Sequence, residues 1–189
     1  LPAAAHWVAT GFMCLAALPF IRFIQLSRGH AEPLLRDPQI RTFLTIVLVI
    51  GLTLAAVLTL RDLHAPLDAV REALFNAVSV MTGTGYASDP YDRWGGVAVS
   101  ILFVLALIGG CTGSTSCSAK VFRYEVLLAA LAMQVRRIHS PRTVYLLRYA
   151  GRTVEPEVIS SIMGFFFVFF SCLMIWSILL SLLGLPFLT

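Results

Sequence analysis

Residues 158–183 (VISSIMGFFFVFFSCLMIWSILLSLL) contain no charged side chain, and neither do residues 43–60 (FLTIVLVIGLTLAAVLTL). About 20 apolar residues, rising 1.5 Å each as a helix, cross the hydrocarbon core of a bilayer. Two more stretches belong with them. Residues 7–26 are apolar apart from Arg22, and residues 95–110 are uncharged until they meet the polar run CTGSTSCSAK. The last is too short to span alone. It reaches across only if its helix resumes after the break, through VFRYEVLLAALAMQV. Composition agrees: 58% of residues are hydrophobic, 13% are charged, and the mean hydropathy is +0.85. Soluble domains are about 45–50% apolar and about 25% charged. The expected solvent is therefore lipid, and the expected fold class is an all-α integral membrane protein. The chain begins at Leu1 and runs directly into apolar sequence, so we read it as part of a longer protein.

Charge sets the expected orientation. The segment 22–41 carries Arg22, Arg28, Arg36 and Arg41. The segment 61–96 carries Arg61, Arg71 and Arg93 against five acids, and 120–157 carries Lys120 and six arginines. The positive-inside rule then places 22–41 and 120–157 in the cytoplasm and 61–96 outside. The net charge of +4 is read as a topology signal. No nucleic-acid partner is expected, because the basic residues are split between two membrane-flanking segments.

The outer segment holds the candidate chemistry. Residues 67–81 (LDAVREALFNAVSVM) have helical periodicity, with Leu67, Val70, Leu74, Ala77 and Val78 on one face and Asp68, Arg71 and Glu72 towards the other. Fifteen residues make about 22 Å of helix, too short to span. Pro66 and Asp68 suit its N-terminus. TGTGYAS follows at once. A short helix followed by Thr/Gly-rich extended backbone, between two spanning segments, has the form of an M1–pore helix–M2 unit. A dehydrated monovalent cation needs a ring of oxygens. Backbone carbonyls supply them where glycine permits unusual dihedrals. Irregular backbone at membrane depth must be buried or line a wet cavity. The negative end of the short helix dipole favours a cation there. The alternative from pattern alone is an amphipathic outer helix with a glycine-rich turn.

Two runs carry a family resemblance. Ala73 to Tyr91 (ALFNAVSVMTGTGYASDPY) resembles the third pore segment of the Trk/Ktr/HKT family of potassium transporters, nearest its bacterial TrkH-like membrane subunits. Ile108 to Arg123 (IGGCTGSTSCSAKVFR) resembles the interrupted M2 helix of the same repeat. The order and spacing match, and the resemblance covers the end of repeat two, all of repeat three and the first helix of repeat four. It implies a potassium-channel-like transporter in which four repeats surround one pore, each with one central filter glycine. Gly85 falls at that glycine. Thr82, Gly83, Thr84, Gly85 and Tyr86 are then the expected ion-binding filter, with K⁺ held by Thr82, Gly83 and Thr84. Tyr86 stands where the family more often has Phe, and Ala87 where potassium channels have a second Gly. The resemblance further implies K⁺ uptake with no other cofactor, no enzymatic activity and a bacterial cytoplasmic-membrane location. The implied partners are lipid, a second copy of the full-length subunit, and a cytoplasmic nucleotide-binding regulatory subunit.

Gly109 to Ala119 is too polar and glycine-rich for an ordinary mid-membrane helix, so it is expected to unwind. The family uses this stretch as an intramembrane gating loop, which assigns that role to Gly109, Gly110, Cys111, Thr112, Gly113, Ser114, Thr115 and Ser116. The family is usually richer in glycine where Ser116, Cys117 and Ser118 stand. Close packing through small residues is the alternative. No Gly-Lys-Ser/Thr follows, so it is no phosphate-binding loop. Lys120 beside it is either a gate-adjacent functional charge or a residue that snorkels to the cytoplasmic boundary.

The expected organisation is a preceding transmembrane helix at 1–30, the M1–P–M2 repeat at 40–139, a cytoplasmic connector at 140–157 and the next transmembrane helix at 158–189. Helices are expected over about 5–28, 40–61, 67–81, 94–110, 119–139 and 156–184. Cys14, Cys111, Cys117 and Cys172 form no CxxC pair and are read as small buried residues. His6, His30, His64 and His139 share no face and carry no assigned catalysis. Trp94 is a candidate interfacial anchor, and Asp89 and Asp92 an outer acidic vestibule. An integral-membrane enzyme using the CTGSTS hydroxyls would need a base nearby, and none lies near in sequence. A purely structural bundle is the remaining rival.

Overall fold

The computed structural model describes residues 2–139 and 147–184. Its helices are α1 (Ala3–Ala16), α2 (Phe20–Ser27), α3 (Glu32–Arg36), α4 (Pro38–Leu60), α5 (Pro66–Thr82), α6 (Gly96–Ile108), α7 (Val121–His139) and α8 (Pro156–Leu182). A one-turn 3₁₀ helix covers Tyr91–Trp94. Strands β1 (Arg148–Tyr149) and β2 (Arg152–Thr153) pair as a small antiparallel hairpin. The fold is an all-α membrane architecture built on an M1–pore helix–M2 repeat, with α4 as M1, α5 as the pore helix and α6 opening M2.

By length and composition α4 and α8 can each cross a membrane. The 23 residues of α4 make about 34 Å of helix. Pro38 occupies the first turn, and Asp37 caps it by accepting from the Gln39 amide at 3.0 Å. Buried Asp37 also holds Arg22, whose Nη2 lies 2.6 Å from Oδ2.

The helix expected over 5–28 is broken. Helices α1 and α2 meet at 94° around Ala17–Pro19. Pro19 has no N–H and disfavours helical backbone at Leu18. The bend frees the carbonyls of Ala16 and Ala17, and the polar loop after α6 takes them up. Expected and observed helices otherwise differ by a few residues. The short helix α3 and the separate turn Tyr91–Trp94 are additional to the expected helices.

The chain divides into two compact units, residues 1–122 and 123–189. In the first, α5 is enclosed by α4, α1 and α6. Phe43, Leu54 and Leu58 of α4 pack with Ala73, Phe75, Val78 and Met81 of α5, and with Leu102 and Leu105 of α6. This enclosure overturns the two-faced reading of 67–81. Leu67 is exposed, whereas Glu72 on the expected polar face is buried. A short helix packed on several sides has no open face for a charge at its middle. Trp94 is likewise no interfacial anchor. It is fully buried, with its indole N–H donating to Asp89 Oδ2 at 2.8 Å.

In the second unit the Arg123 guanidinium lies 3.9 Å from the Phe165 ring centroid. The Tyr124 ring meets Phe166 edge-on at 5.0 Å. The Tyr149 hydroxyl donates to Glu125. Of the expected connector, residues 140–146 lie outside the described residues, and the remainder forms the hairpin and the start of α8.

Candidate ion-conduction site

Helix α5 stops because Gly83 turns left-handed, at φ 74°. The Gly83 amide returns to the Val80 carbonyl at 3.2 Å and the Thr84 amide to the Ser79 carbonyl at 3.0 Å. These two bonds make a Schellman motif. The Thr82 and Thr84 hydroxyls meet at 2.7 Å, and Thr82 Oγ1 also donates to the Ser79 carbonyl at 3.3 Å. Gly85 is again left-handed, at φ 79°. Thus Thr82 ends the helix, and the irregular strand is Gly83 to Ala87, all exposed. Its amides turn back into the helix end. Among the described residues, no carbonyl from Thr82 to Tyr86 accepts a hydrogen bond. A run of free carbonyls at the negative end of a buried helix is a cation-binding arrangement. A Cβ at Gly85 would meet nothing within 4 Å, so this glycine opens onto unoccupied space.

The loop of residues 109–120 sits directly against this strand. A Cβ built on Gly83 would lie 3.0 Å from Cys117 Cβ and 3.2 Å from Cys117 Sγ. The same loop is seated in the α1–α2 elbow. The Cys111 amide donates to the Ala17 carbonyl at 3.0 Å, and the Thr115 amide and hydroxyl to the Ala16 carbonyl at 3.3 and 3.0 Å. The Phe20 amide donates to the Gly113 carbonyl at 3.0 Å, and the Thr112 amide to Gln39 Oε1 at 2.9 Å. Two broken helices therefore satisfy each other's backbone. Sequence reasoning missed this partnership, although Pro19 was its available signal. Lys120 closes the loop. It is half-buried, its backbone is left-handed at φ 70°, and Nζ donates to the Ser114 carbonyl at 3.3 Å. It ties the loop to itself.

Ser114 Oγ donates to the Cys111 carbonyl at 2.6 Å. Ser116 Oγ is buried and has no hydrogen-bond partner among the described residues. The described residues hold no cluster of three or more His, Cys, Asp or Glu side chains that could bind a metal.

Beyond the strand, Asp89 is half-buried. Its Oδ2 receives His64 Nε2 at 3.1 Å together with the Trp94 indole. Burial opposes ionisation of Asp89. The hydrogen bonds from Trp94 and His64 and the nearby charges of His64 and Arg93 outweigh it, holding the carboxyl below its ordinary 3.8. Asp92 is exposed.

A short buried helix that ends in an irregular strand, with an unwound segment packed against it and helices long and apolar enough to cross a membrane beside it, defines a re-entrant helical repeat of a membrane protein. The profile of the TrkH family, described as cation transport protein, matches residues 8–188. The chain belongs to that family. It is 37% identical over 183 residues to the Trk system potassium uptake protein TrkI of Halomonas elongata, covering 97% of this chain and 37% of that protein. It is 31% identical over 186 residues to TrkG of Escherichia coli, covering 96% and 38%. The crystal structure of the potassium transporter TrkH from Vibrio parahaemolyticus matches with a TM-score of 0.89 at 26% identity, over 97% of this chain and 40% of that one. The chain thus spans well under half the length of these relatives.

Proposed function

We propose that this chain is the third pore repeat, with its flanking helices, of a subunit that takes K⁺ up across the bacterial cytoplasmic membrane. Thr82, Gly83, Thr84, Gly85 and Tyr86 supply one wall of the filter, and the carbonyls of Gly83, Thr84 and Gly85 are its ion ligands. Thr82 contributes from the end of the helix. The observation that carries the reading is the run of unpaired carbonyls between two left-handed glycines at the C-terminus of a buried short helix. The loop Gly109 to Ser116, continuing through Cys117 to Lys120, is the gate. What supports this is Cys117 against Gly83 on one side and the α1–α2 elbow on the other. One strand cannot encircle an ion, so the activity belongs to the full-length protein.

The relatives are named as parts of a Trk system. The family resemblance, and not those names, adds that the full-length subunit works as a homodimer with a cytoplasmic nucleotide-binding regulatory subunit, docked towards the basic segment 120–157. It is a transporter and not an enzyme, and K⁺ is its cargo. The test is uptake of radiolabelled rubidium by the full-length protein in cells lacking their own potassium uptake. Excess K⁺ should compete and excess Na⁺ should not. Absence of uptake with the protein present in the membrane, or equal competition by both ions, would contradict the reading.

A further inference from the structure

Glu72 is a carboxylate at the middle of a helix enclosed by apolar side chains, and filter and gate chemistry leave it unused. It is 7% exposed. Ionised carboxylates are buried at high cost unless their oxygens are satisfied. Both oxygens of Glu72 have partners. Oε1 accepts from Arg71 Nη2 at 3.1 Å and Nε at 3.3 Å. His6 Nδ1 of α1 stands 3.3 Å from the same oxygen, within ion-pair range but without hydrogen-bond alignment. Arg71 is itself held by Asp68 at 2.6 Å. Oε2 accepts from the hydroxyl of Ser88, three residues beyond Gly85.

Ser88 is gripped at more than one point. Fully buried Asn76 donates from Nδ2 to Ser88 Oγ at 2.7 Å and to the Glu72 carbonyl at 2.9 Å. Asn76 Oδ1 accepts from the Ser88 amide at 3.3 Å. The strand is therefore fixed at both ends. Its inner end is the Schellman turn on Ser79, and its outer end is Ser88 on Glu72 and Asn76. Between the anchors lie Gly85, Tyr86 and Ala87. Neighbouring carbonyl oxygens repel one another, so their spacing in the absence of an ion depends on the anchors.

The geometry points to Glu72 as a positioning residue for ion selectivity, acting through Ser88 on the spacing of the filter carbonyls. A carboxylate only accepts hydrogen bonds. It therefore commits the Ser88 hydroxyl to donate inward, away from the ion path, and charge assistance strengthens that bond. Discrimination between K⁺ and Na⁺ responds to the size of the oxygen cage and its freedom to contract. A strand released at its outer end can close on the smaller ion. The inference rests on the filter assignment proposed above.

The test uses the full-length protein and measures K⁺ against Na⁺ competition for rubidium uptake, normalised to protein in the membrane. Ser88→Ala and Glu72→Ala should each lower the K⁺ preference about tenfold, the scale of one buried hydrogen bond to a charged group. Ser88→Thr keeps the hydroxyl and should restore the preference. The double variant should do no worse than the worse single one, because both break the same bond. A residue that only stabilises the fold would change the amount of protein and leave the ion ratio intact. Native preference in Ser88→Ala, with preference lost in Gly85→Ser, would overturn the brace and leave the filter standing. Native preference in both would remove the filter assignment and the brace with it. If Glu72→Ala fails to assemble, the comparison of Ser88→Ala with Ser88→Thr decides alone.

Discussion

Replacing Gly83 with alanine would test whether the loop rests on the filter strand. The new methyl would lie 3.0 Å from Cys117 Cβ and 3.2 Å from its Sγ, so one side must give. Overpacking costs about 1–3 kcal/mol in a closed core, and because Gly83 and Cys117 are both exposed the low end applies here. The left-handed backbone, at φ 74°, adds about 1–2 kcal/mol for a residue with a Cβ. The second cost is present wherever the loop sits, so only the steric overlap biases the loop. At about 1 kcal/mol, displacement of the loop becomes about fivefold more favourable. The assay is passive rubidium flux in proteoliposomes containing the full-length protein. Gly83→Ala should raise the leak about fivefold. Cys117→Gly removes the atoms that the methyl strikes, so the double variant should leak no more than Cys117→Gly alone. If the two changes instead add, the loop and the strand are energetically independent and the contact is not the seat of the gate.

Thr115→Val keeps the shape of the side chain but loses its bond to the Ala16 carbonyl, which removes about 1 kcal/mol from the elbow seat. The same flux assay should show a raised leak with unchanged ion preference. Asp37→Ala removes both the cap of α4 and the carboxylate that Arg22 binds, leaving Arg22 with Gln25, whereas Asp37→Asn can keep the cap through Oδ1 while losing the charged acceptor that faces Arg22. Thermal unfolding in detergent should fall further for the alanine, by the further cost of a missing cap, about 1 kcal/mol. The Asp89 clamp has a defined pH sign. Its folded-state value is depressed below 3.8, so its contribution is complete well above 3.8 and is lost as pH falls through the lower folded value. Trp94 fluorescence should change in that acid window, and Asp89→Asn should abolish the transition.

Much of this was legible from the chain. The uncharged runs fixed α4 and α8, and the pattern of 67–81 followed by TGTG placed the pore helix and the irregular backbone after it. The break after Ile108 was legible because glycine and hydroxyl residues cannot sustain a lipid-facing helix. Other features were not readable, for physical reasons. Helical periodicity marks a polar face but not the helices that will cover it, so buried Glu72 looked like a surface acid. Trp94 looked interfacial because a tryptophan beside a charged loop usually is, and only the folded loop brings Asp89 to its indole. The elbow at Pro19 was hidden by the apolar residues around it. Its two freed carbonyls find donors in residues 111–115, nearly a hundred positions away.

Whether the strand after α5 is the ion filter turns on Gly85. Its φ of 79° makes a side chain there cost about 1–3 kcal/mol, while the open space around it leaves the rest of the fold unclashed. The measurement is the K⁺ to Na⁺ preference of rubidium uptake by full-length Gly85→Ser at wild-type levels in the membrane. A filter at this strand requires loss of that preference or of uptake altogether. Wild-type preference and rate would contradict it.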